Sequence, residues 1–293
     1  MSCSKRFRSI ASAVLLVLVG VPASQSSELV QLTADGRLKR DPVFISDGEE
    51  LVFGADEGTD KIRLLRMNLE TRKVTPFHEN APRSELEPAF SPCGRYYALN
   101  HNTGNLTVKM VIHDSETGTD TDISVKGRGG MRSPAFSPDS TRIAYCFAET
   151  GPQQIFSVDV KGKDKRQLTD SQGINNWPSY TPDGKRIVFT SSRDGNYEIY
   201  AMDADGKNVT RLTNSPTQDI RPRVSPEGTR IVFTSSRDGN REIYVMNIDG
   251  THVKRVTENP ERDDYPAWHP DGKSIAFVSE RKGRHDIYII EVP

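Results

Sequence analysis

Short apolar runs alternate with polar turn sequences along most of the chain, and this pattern predicts β-strands. The apolar runs at 230–234 and 242–246 are continuous, which is typical of strands covered on both faces. Residues 225–228 before them fit a type I turn, and Asp238-Gly239 between them fits a hairpin. Residues 253–257 mix cationic and apolar side chains, as outer edge strands do. With a strand before the first turn, the pattern predicts a unit of four antiparallel strands, called a to d in chain order.

This unit is repeated along the chain. Its marker is a seven-residue motif that reads Pro-Ser-Tyr-Thr-Pro-Asp-Gly at 178–184. The six copies begin at Pro42, Pro88, Pro134, Pro178, Pro222 and Pro266. Successive copies start 44 or 46 residues apart, a period typical of propeller blades. The sequence therefore predicts an all-β fold over 24–293, a six-bladed β-propeller with four-stranded antiparallel blades that start near 40, 86, 132, 176, 220 and 264.

The two ends of the chain complement each other. The last repeat provides strands a, b and c and then stops at Pro293, without a strand d. Leu29–Thr33 matches the strand d sequence at Lys165–Thr169. We therefore expect the N-terminal strand at 29–33 to complete blade six and close the ring, which leaves only short, protected sheet edges.

The first 23 residues have the pattern of a secretory signal peptide. Basic residues at 5, 6 and 8 precede an apolar run at 11–21 and a small residue at Ala23. We expect a periplasmic or secreted protein with no membrane span after cleavage; an uncleaved anchor is the alternative. Loss of three basic residues takes the formal net charge from −1 to about −4, so nucleic acid is not an expected partner. A monomer is expected, and the sequence leaves open whether Cys93 and Cys146 pair.

Two repeated elements carry a resemblance to a known family. One is Pro-x-Phe/Trp-Ser/His-Pro-Asp-Gly, and the other is Ser191–Tyr200 with its copy Ser235–Tyr244. Both resemble the WD-like repeats of the TolB family, over residues 29–293. The resemblance implies a periplasmic propeller of the Tol-Pal cell-envelope system that binds the lipoprotein Pal. TolB proteins carry an α/β domain before the propeller. This sequence has about five residues between the expected cleavage site and the first propeller strand, so contacts with the inner-membrane Tol proteins are not expected.

The loops between strand d and the next strand a vary while the framework around them repeats, so recognition is expected on that face of the channel. The candidate partner-binding residues are Lys39, Arg40, Glu85, Glu87, Arg132, Asn175, Trp177, Asp219, Arg221, Arg223, Asp263, Asp264 and Tyr265. Trp177 and Tyr265 are expected to be aromatic anchors, with packing beside the next proline as the alternative. Arg223 stands where other copies have small or aliphatic residues. We expect it to enter the channel and pair with Asp219 or Asp263.

No catalytic residue is predicted. The sequence has no Gly-x-Ser-x-Gly, Cys-x-x-Cys or His-Glu-x-x-His motif, so a non-enzymatic binding protein is expected, without a cofactor. A Ca²⁺ ion held by Asp219, Asp263, Glu85 and Asn175 is an alternative, against which Lys39 and Met131 stand at equivalent positions. The sequence is also compatible with a small-ligand, glycan or metal-binding propeller of the envelope and, less well, with a propeller lyase.

Overall fold

A computed structural model describes residues 28–58, 61–102, 108–123 and 130–292; the predicted signal peptide lies outside these residues. One 3₁₀ turn is present at Ser46–Gly48. None of the residues described forms a helix long and apolar enough to cross a membrane. The strands are β1 Val30–Gln31, β2 Lys39–Ile45, β3 Glu50–Asp56, β4 Ile62–Asn68, β5 Val74–Pro76, β6 Glu85–Phe90, β7 Tyr96–Asn102, β8 Val108–Asp114, β9 Thr119–Ile123, β10 Arg132–Phe136, β11 Arg142–Phe147, β12 Gln154–Asp159, β13 Arg166–Gln167, β14 Asn175–Tyr180, β15 Arg186–Ser191, β16 Glu198–Asp203, β17 Thr210–Arg211, β18 Asp219–Val224, β19 Arg230–Ser235, β20 Glu242–Asn247, β21 Lys254–Arg255, β22 Asp263–Trp268, β23 Ser274–Arg281 and β24 Arg284–Glu291.

The strands form six four-stranded antiparallel sheets, which confirms the predicted six-bladed propeller. Strands β2–β5, β6–β9, β10–β13, β14–β17 and β18–β21 form five blades in chain order. The sixth blade has the order β1-β24-β23-β22. Each inner strand begins within one residue of the predicted blade start.

The N-terminal strand closes the ring, as the sequence predicts. β1 pairs with β24 through Val30 opposite Ile289. The backbone N–H of Leu32 then donates to the carbonyl of Ile287 at 2.8 Å. The hydroxyl of Thr33 donates to Asp286 at 2.9 Å. The segment at 29–33 therefore performs the role of strand d in blade six, although only Val30–Gln31 is regular strand.

The core lies between adjacent blades, which explains the continuous apolar runs of strands b and c. One buried cluster combines Val188, Ile199 and Ala201 of blade four with Ile231 and Phe233 of blade five. Phe233 is fully buried, and its ring lies 5.8 Å from that of Tyr244 on the next strand. Burial of one such phenylalanine stabilises the fold by about 2 kcal/mol. Each blade therefore depends on its neighbours for cover on both faces.

A repeated hydrogen bond fixes the short outer strands. In four blades, a polar residue at or near the start of strand c accepts a hydrogen bond from the threonine that follows strand d. These pairs are Gln154 with Thr169 at 2.8 Å, Glu198 with Thr213 at 2.5 Å, Glu242 with Thr257 at 2.6 Å and Asp286 with Thr33 at 2.9 Å. Because four of the strands d have only two residues, this bond adds to a small number of backbone hydrogen bonds. The last pair belongs to the closure itself.

The inner strand of every blade carries a bulge. The pairing of strands a and b shifts register between the second residue before each motif proline and the residue after that proline. The residue before each motif proline has a positive φ of 50° to 57° in all six blades. This conformation costs a non-glycine residue about 1 kcal/mol or more, and a bulge changes the direction in which side chains point. These six bulge residues are Asp41, Glu87, Ser133, Trp177, Arg221 and Tyr265.

The two cysteines of the propeller lie in different environments. Cys146 is fully buried in β11, and burial raises the pKa of its thiol. Cys93 lies in the turn before β7, where its backbone N–H donates to the Ser140 hydroxyl at 3.2 Å. No disulfide joins them within the part of the chain that the structure describes.

Candidate functional site

The inner strands surround a channel that differs at its two ends. Each strand a runs from a d-to-a loop to an a-to-b turn, so its bulge residue lies nearer the loops and the residue after its proline nearer the turns. All the bulge residues except Ser133 border a polar cavity of about 160 Å³, the loop-end cavity. The residues after the prolines line a cavity of about 620 Å³, the turn-end cavity, which the prolines of the a-to-b turns also border. The channel is narrow and charged at one end and wide at the other.

Arg221 organises the loop-end cavity. Its guanidinium carbon lies 4.6 Å from the ring centroid of Trp177 and 4.1 Å from that of Tyr265. It also forms an ion pair with Asp264 at 3.4 Å, and Asp264 accepts from Arg241 at 2.8 Å. Cation–π contacts of this kind contribute about 1 kcal/mol each. Arg221 thus contacts both aromatic rings, and both remain partly exposed.

Two carboxylates of the bulges face the same channel. Glu87 accepts hydrogen bonds from Asn100 at 2.6 Å and from the backbone N–H of Ser133 at 2.8 Å. Burial raises the pKa of Asp41 to about 6, and repulsion from Glu87 adds to the effect. The charges that oppose this rise are those of Arg221, Arg223 and Arg40. The sequence alone does not single out Asp41.

Asp41→Asn is expected to make stability less sensitive to pH. The folded-state pKa of Asp41, about 6, lies above its ordinary value of 3.8. The contribution of Asp41 to the free energy of unfolding is therefore fully present below pH 3.8 and is lost as the pH rises through 6. The wild type should therefore lose about 2 kcal/mol more unfolding free energy than the variant between about pH 4.5 and pH 8. Urea unfolding at both pH values measures this. Parallel losses in the two proteins would contradict it.

Several predicted site residues are buried rather than exposed at the channel face. Lys39, Glu85, Asn175, Asp219 and Asp263, the first residues of their inner strands, are at most 2% exposed. The polar partners of these residues are Asp286 for Lys39 at 3.2 Å, His78 for Glu85 at 2.6 Å, Gln154 for Asn175 at 2.7 Å, Arg237 for Asp219 at 2.8 Å and Asn259 for Asp263 at 2.8 Å. These contacts anchor the loops to the blades. Among the residues described, no three His, Cys, Asp or Glu side chains are grouped so that they could hold a metal ion.

The remaining predicted residues occupy the channel or its rim. Arg40, Glu87, Arg132, Trp177, Arg221 and Tyr265 border the loop-end cavity together. Asp264 borders a second cavity of about 220 Å³ beside it, between blades six and one.

Arg223 does enter the channel, but its expected ion pair does not form. Arg237 and Asn259 already engage Asp219 and Asp263. The acidic groups that act most on Arg223 are instead Asp41 and Glu87, and its side chain borders the turn-end cavity.

The turn-end cavity is not evident from the sequence. Its wall is formed by the second residue after each motif proline and by the second proline of five motifs, all of which belong to the repeated framework. The first of these sets is Phe44, Phe90, Phe136, Tyr180, Val224 and Trp268. Trp268 is fixed by its indole N–H, which donates to the carbonyl of Arg223 at 3.0 Å. The aromatic position of the motif is the signal that could have indicated this wall.

The fold and the repeats allow comparison with known proteins. The family model of the TolB β-propeller domain matches residues 77–228, just over half of the chain. The chain belongs to this family. The model of the Tricorn protease N-terminal β-propeller domain matches residues 202–286.

Relatives of this TolB-family chain differ from it in length. A TolB homologue of Chlorobium luteolum is 30% identical over 138 residues, which are 47% of this chain and 30% of that protein. The alignment thus spans about a third of the curated relative. The structure of TolB from Acinetobacter baumannii superposes with a TM-score of 0.71 at 21% identity, over 85% of this chain and 65% of that one.

Enzymes share the same architecture. An oligogalacturonate lyase in complex with manganese superposes with a TM-score of 0.62 at 18% identity, over 92% of this chain and 94% of that one. At this identity the similarity shows the fold alone.

Proposed function

We propose that this TolB-family chain is a non-enzymatic periplasmic propeller that binds an envelope protein, of the Pal lipoprotein type, at the loop end of its channel. The observation that carries the proposal is the stack of Trp177, Arg221 and Tyr265, with Arg221 at 4.6 Å and 4.1 Å from the two rings. Tryptophan, tyrosine and arginine are the residues most enriched at interface hot spots.

The stack has the physical properties of a docking anchor. Its rings are partly exposed, and they pack against the guanidinium of Arg221, which forms an ion pair with Asp264. A fixed side chain loses little conformational entropy when a partner binds, so more of the contact energy is available for affinity. Arg132 is exposed and Arg40 is partly exposed beside it. Asp41 and Glu87 border the same cavity, so the partner is expected to place acidic groups against Arg132 and Arg40 rather than over these carboxylates.

Trp177→Ala is expected to weaken binding of the periplasmic domain of Pal from the same organism. Loss of a hot-spot side chain costs about 2 kcal/mol, or a factor of about 30 in Kd. Titration calorimetry with the purified protein measures the affinity. Arg132→Ala changes an exposed side chain on the same face and is expected to reduce binding without affecting stability.

The matched control lies at the opposite end of the propeller. Lys207 is in a c-to-d turn with 76% of its side chain exposed, so Lys207→Ala should bind as the wild type does. Absence of saturable binding by the wild type would refute the Pal-type partner. Equal affinity of wild type and Trp177→Ala, with the wild type binding, would instead refute the loop-end face. Asp263→Ala is unsuitable for this purpose because Asp263 is buried.

A further inference from the structure

We infer that the turn-end cavity is a separate binding site for an organic acid that carries one carboxylate on an aromatic or apolar body, with Arg223 binding the carboxylate. This site lies at the opposite end of the channel from the proposed partner surface. It depends on different residues, so the two proposals can succeed or fail independently.

The cavity has the size and lining of a small-molecule site. Its volume of about 620 Å³ is within the range of about 300–1,000 Å³ typical of ligand pockets. It stays open because the residue after the motif proline is small or aliphatic in five of the inner strands. These residues are Val43, Ala89, Ala135, Ser179 and Ala267. Prolines and aromatic rings form most of the remaining wall, which would cover an apolar ligand body.

Arg223 is the one charged side chain that borders this cavity in the described chain. Its guanidinium makes no ion pair and no hydrogen bond with any described residue, in contrast to Arg221, which is paired with Asp264. Two acids act on Arg223 without contacting it: Glu87 is already held by Asn100, and burial raises the pKa of Asp41 to about 6, which weakens its negative charge. Arg223 is partly exposed, and the burial of the rest of its side chain lowers the pKa of its guanidinium.

The missing partner is an anion of a particular kind. A guanidinium presents a planar set of donors that matches a carboxylate in two parallel hydrogen bonds. A single arginine in an apolar wall favours a single negative charge, because a polyanion would be desolvated without further cations to compensate it. An uncharged apolar ligand would leave the guanidinium buried and unpaired. The site should therefore prefer a monocarboxylate over its neutral analogue.

Trp268 provides a direct readout of this site. The chain contains two tryptophans, so Trp177→Phe leaves the Trp268 indole in the cavity wall as the sole tryptophan. Titration of this variant with 3-phenylpropionate is expected to change its fluorescence saturably, with a Kd of about 1 mM or tighter. The neutral 3-phenylpropionamide should bind at least about tenfold more weakly. No saturable change with the acid, or equal affinity for acid and amide, would overturn the proposal.

Arg223→Ala in the same background tests the role of the cation. This change restores the small residue found in most of the other blades and removes a partly buried charge that has no ion pair, so the midpoint of thermal unfolding should stay or rise. Acid and amide should then bind with equal affinity. Arg223→Gln keeps more of the volume and should give the same loss of preference, and Arg132→Gln, at the other end, should keep the preference. Retained preference for the acid in either Arg223 variant would refute the assignment.

Discussion

Deletion of the chain up to Thr33 is expected to abolish cooperative unfolding of the propeller. The deletion removes the pairing of β1 with β24, the burial of Leu32, and the hydrogen bond from Thr33 to Asp286. Burial of a leucine contributes about 2 kcal/mol and each hydrogen bond about 1 kcal/mol. Their sum approaches the about 5–15 kcal/mol that separates folded from unfolded domains. Urea unfolding followed by circular dichroism and gel filtration measures the effect.

A circular permutant is the matched control for this deletion. It begins at Leu38 and carries residues 28–37 after residue 292, joined by a flexible linker. Because the segment pairs with β24 in space, its position along the chain should matter little, and the permutant should unfold cooperatively. A deletion variant with the same urea midpoint as the wild type would show that closure is not needed. A permutant as unstable as the deletion variant would place the effect elsewhere.

The closure and the blade number could be predicted because short sequence segments indicate both. The motif beginning at Pro178 recurs with a nearly fixed period, and each copy specifies the same turn and strands. The similarity of Leu29–Thr33 to Lys165–Thr169 then identifies the missing strand. This step needs no information about contacts in space, because the last copy lacks strand d and a matching sequence precedes the first copy.

The candidate site could be predicted only in part, since burial depends on partners distant in sequence. Lys39 has the composition of a surface residue, yet its ammonium is buried against Asp286, 247 residues away. Asp219 is likewise buried by Arg237. The bulge that directs Trp177 and Arg221 into the channel has no signature in residue type, because the bulge residue differs in every blade. The width of the turn end depends on the absence of large side chains, which becomes visible only when six strands are arranged in a ring.

The closure of blade six differs chemically from the equivalent contacts in other blades. In blade five, Glu242 is bound by Thr257 and by Arg255, whose side chain is 30% exposed. In blade six, Asp286 is bound by Thr33 and by Lys39, whose side chain is fully buried. Lys39 also pairs with Asp35, whose side chain is 41% exposed, so Asp286 is the one of its two carboxylate partners that is buried. The ring therefore closes on a contact that depends strongly on charge.

Asp286→Asn is accordingly expected to lower the free energy of unfolding by about 2 kcal/mol, the effect typical of losing a buried hydrogen bond between charged groups. The change keeps the shape of the side chain and removes its charge, which leaves Lys39 with the partly exposed Asp35 as its remaining carboxylate. Urea unfolding at neutral pH measures the loss. Asp205→Asn breaks an exposed pair with Lys207 and should cost less than about 1 kcal/mol. Equal stability of the two variants would mean that the buried pair does not hold the ring closed, and that backbone pairing of β1 suffices.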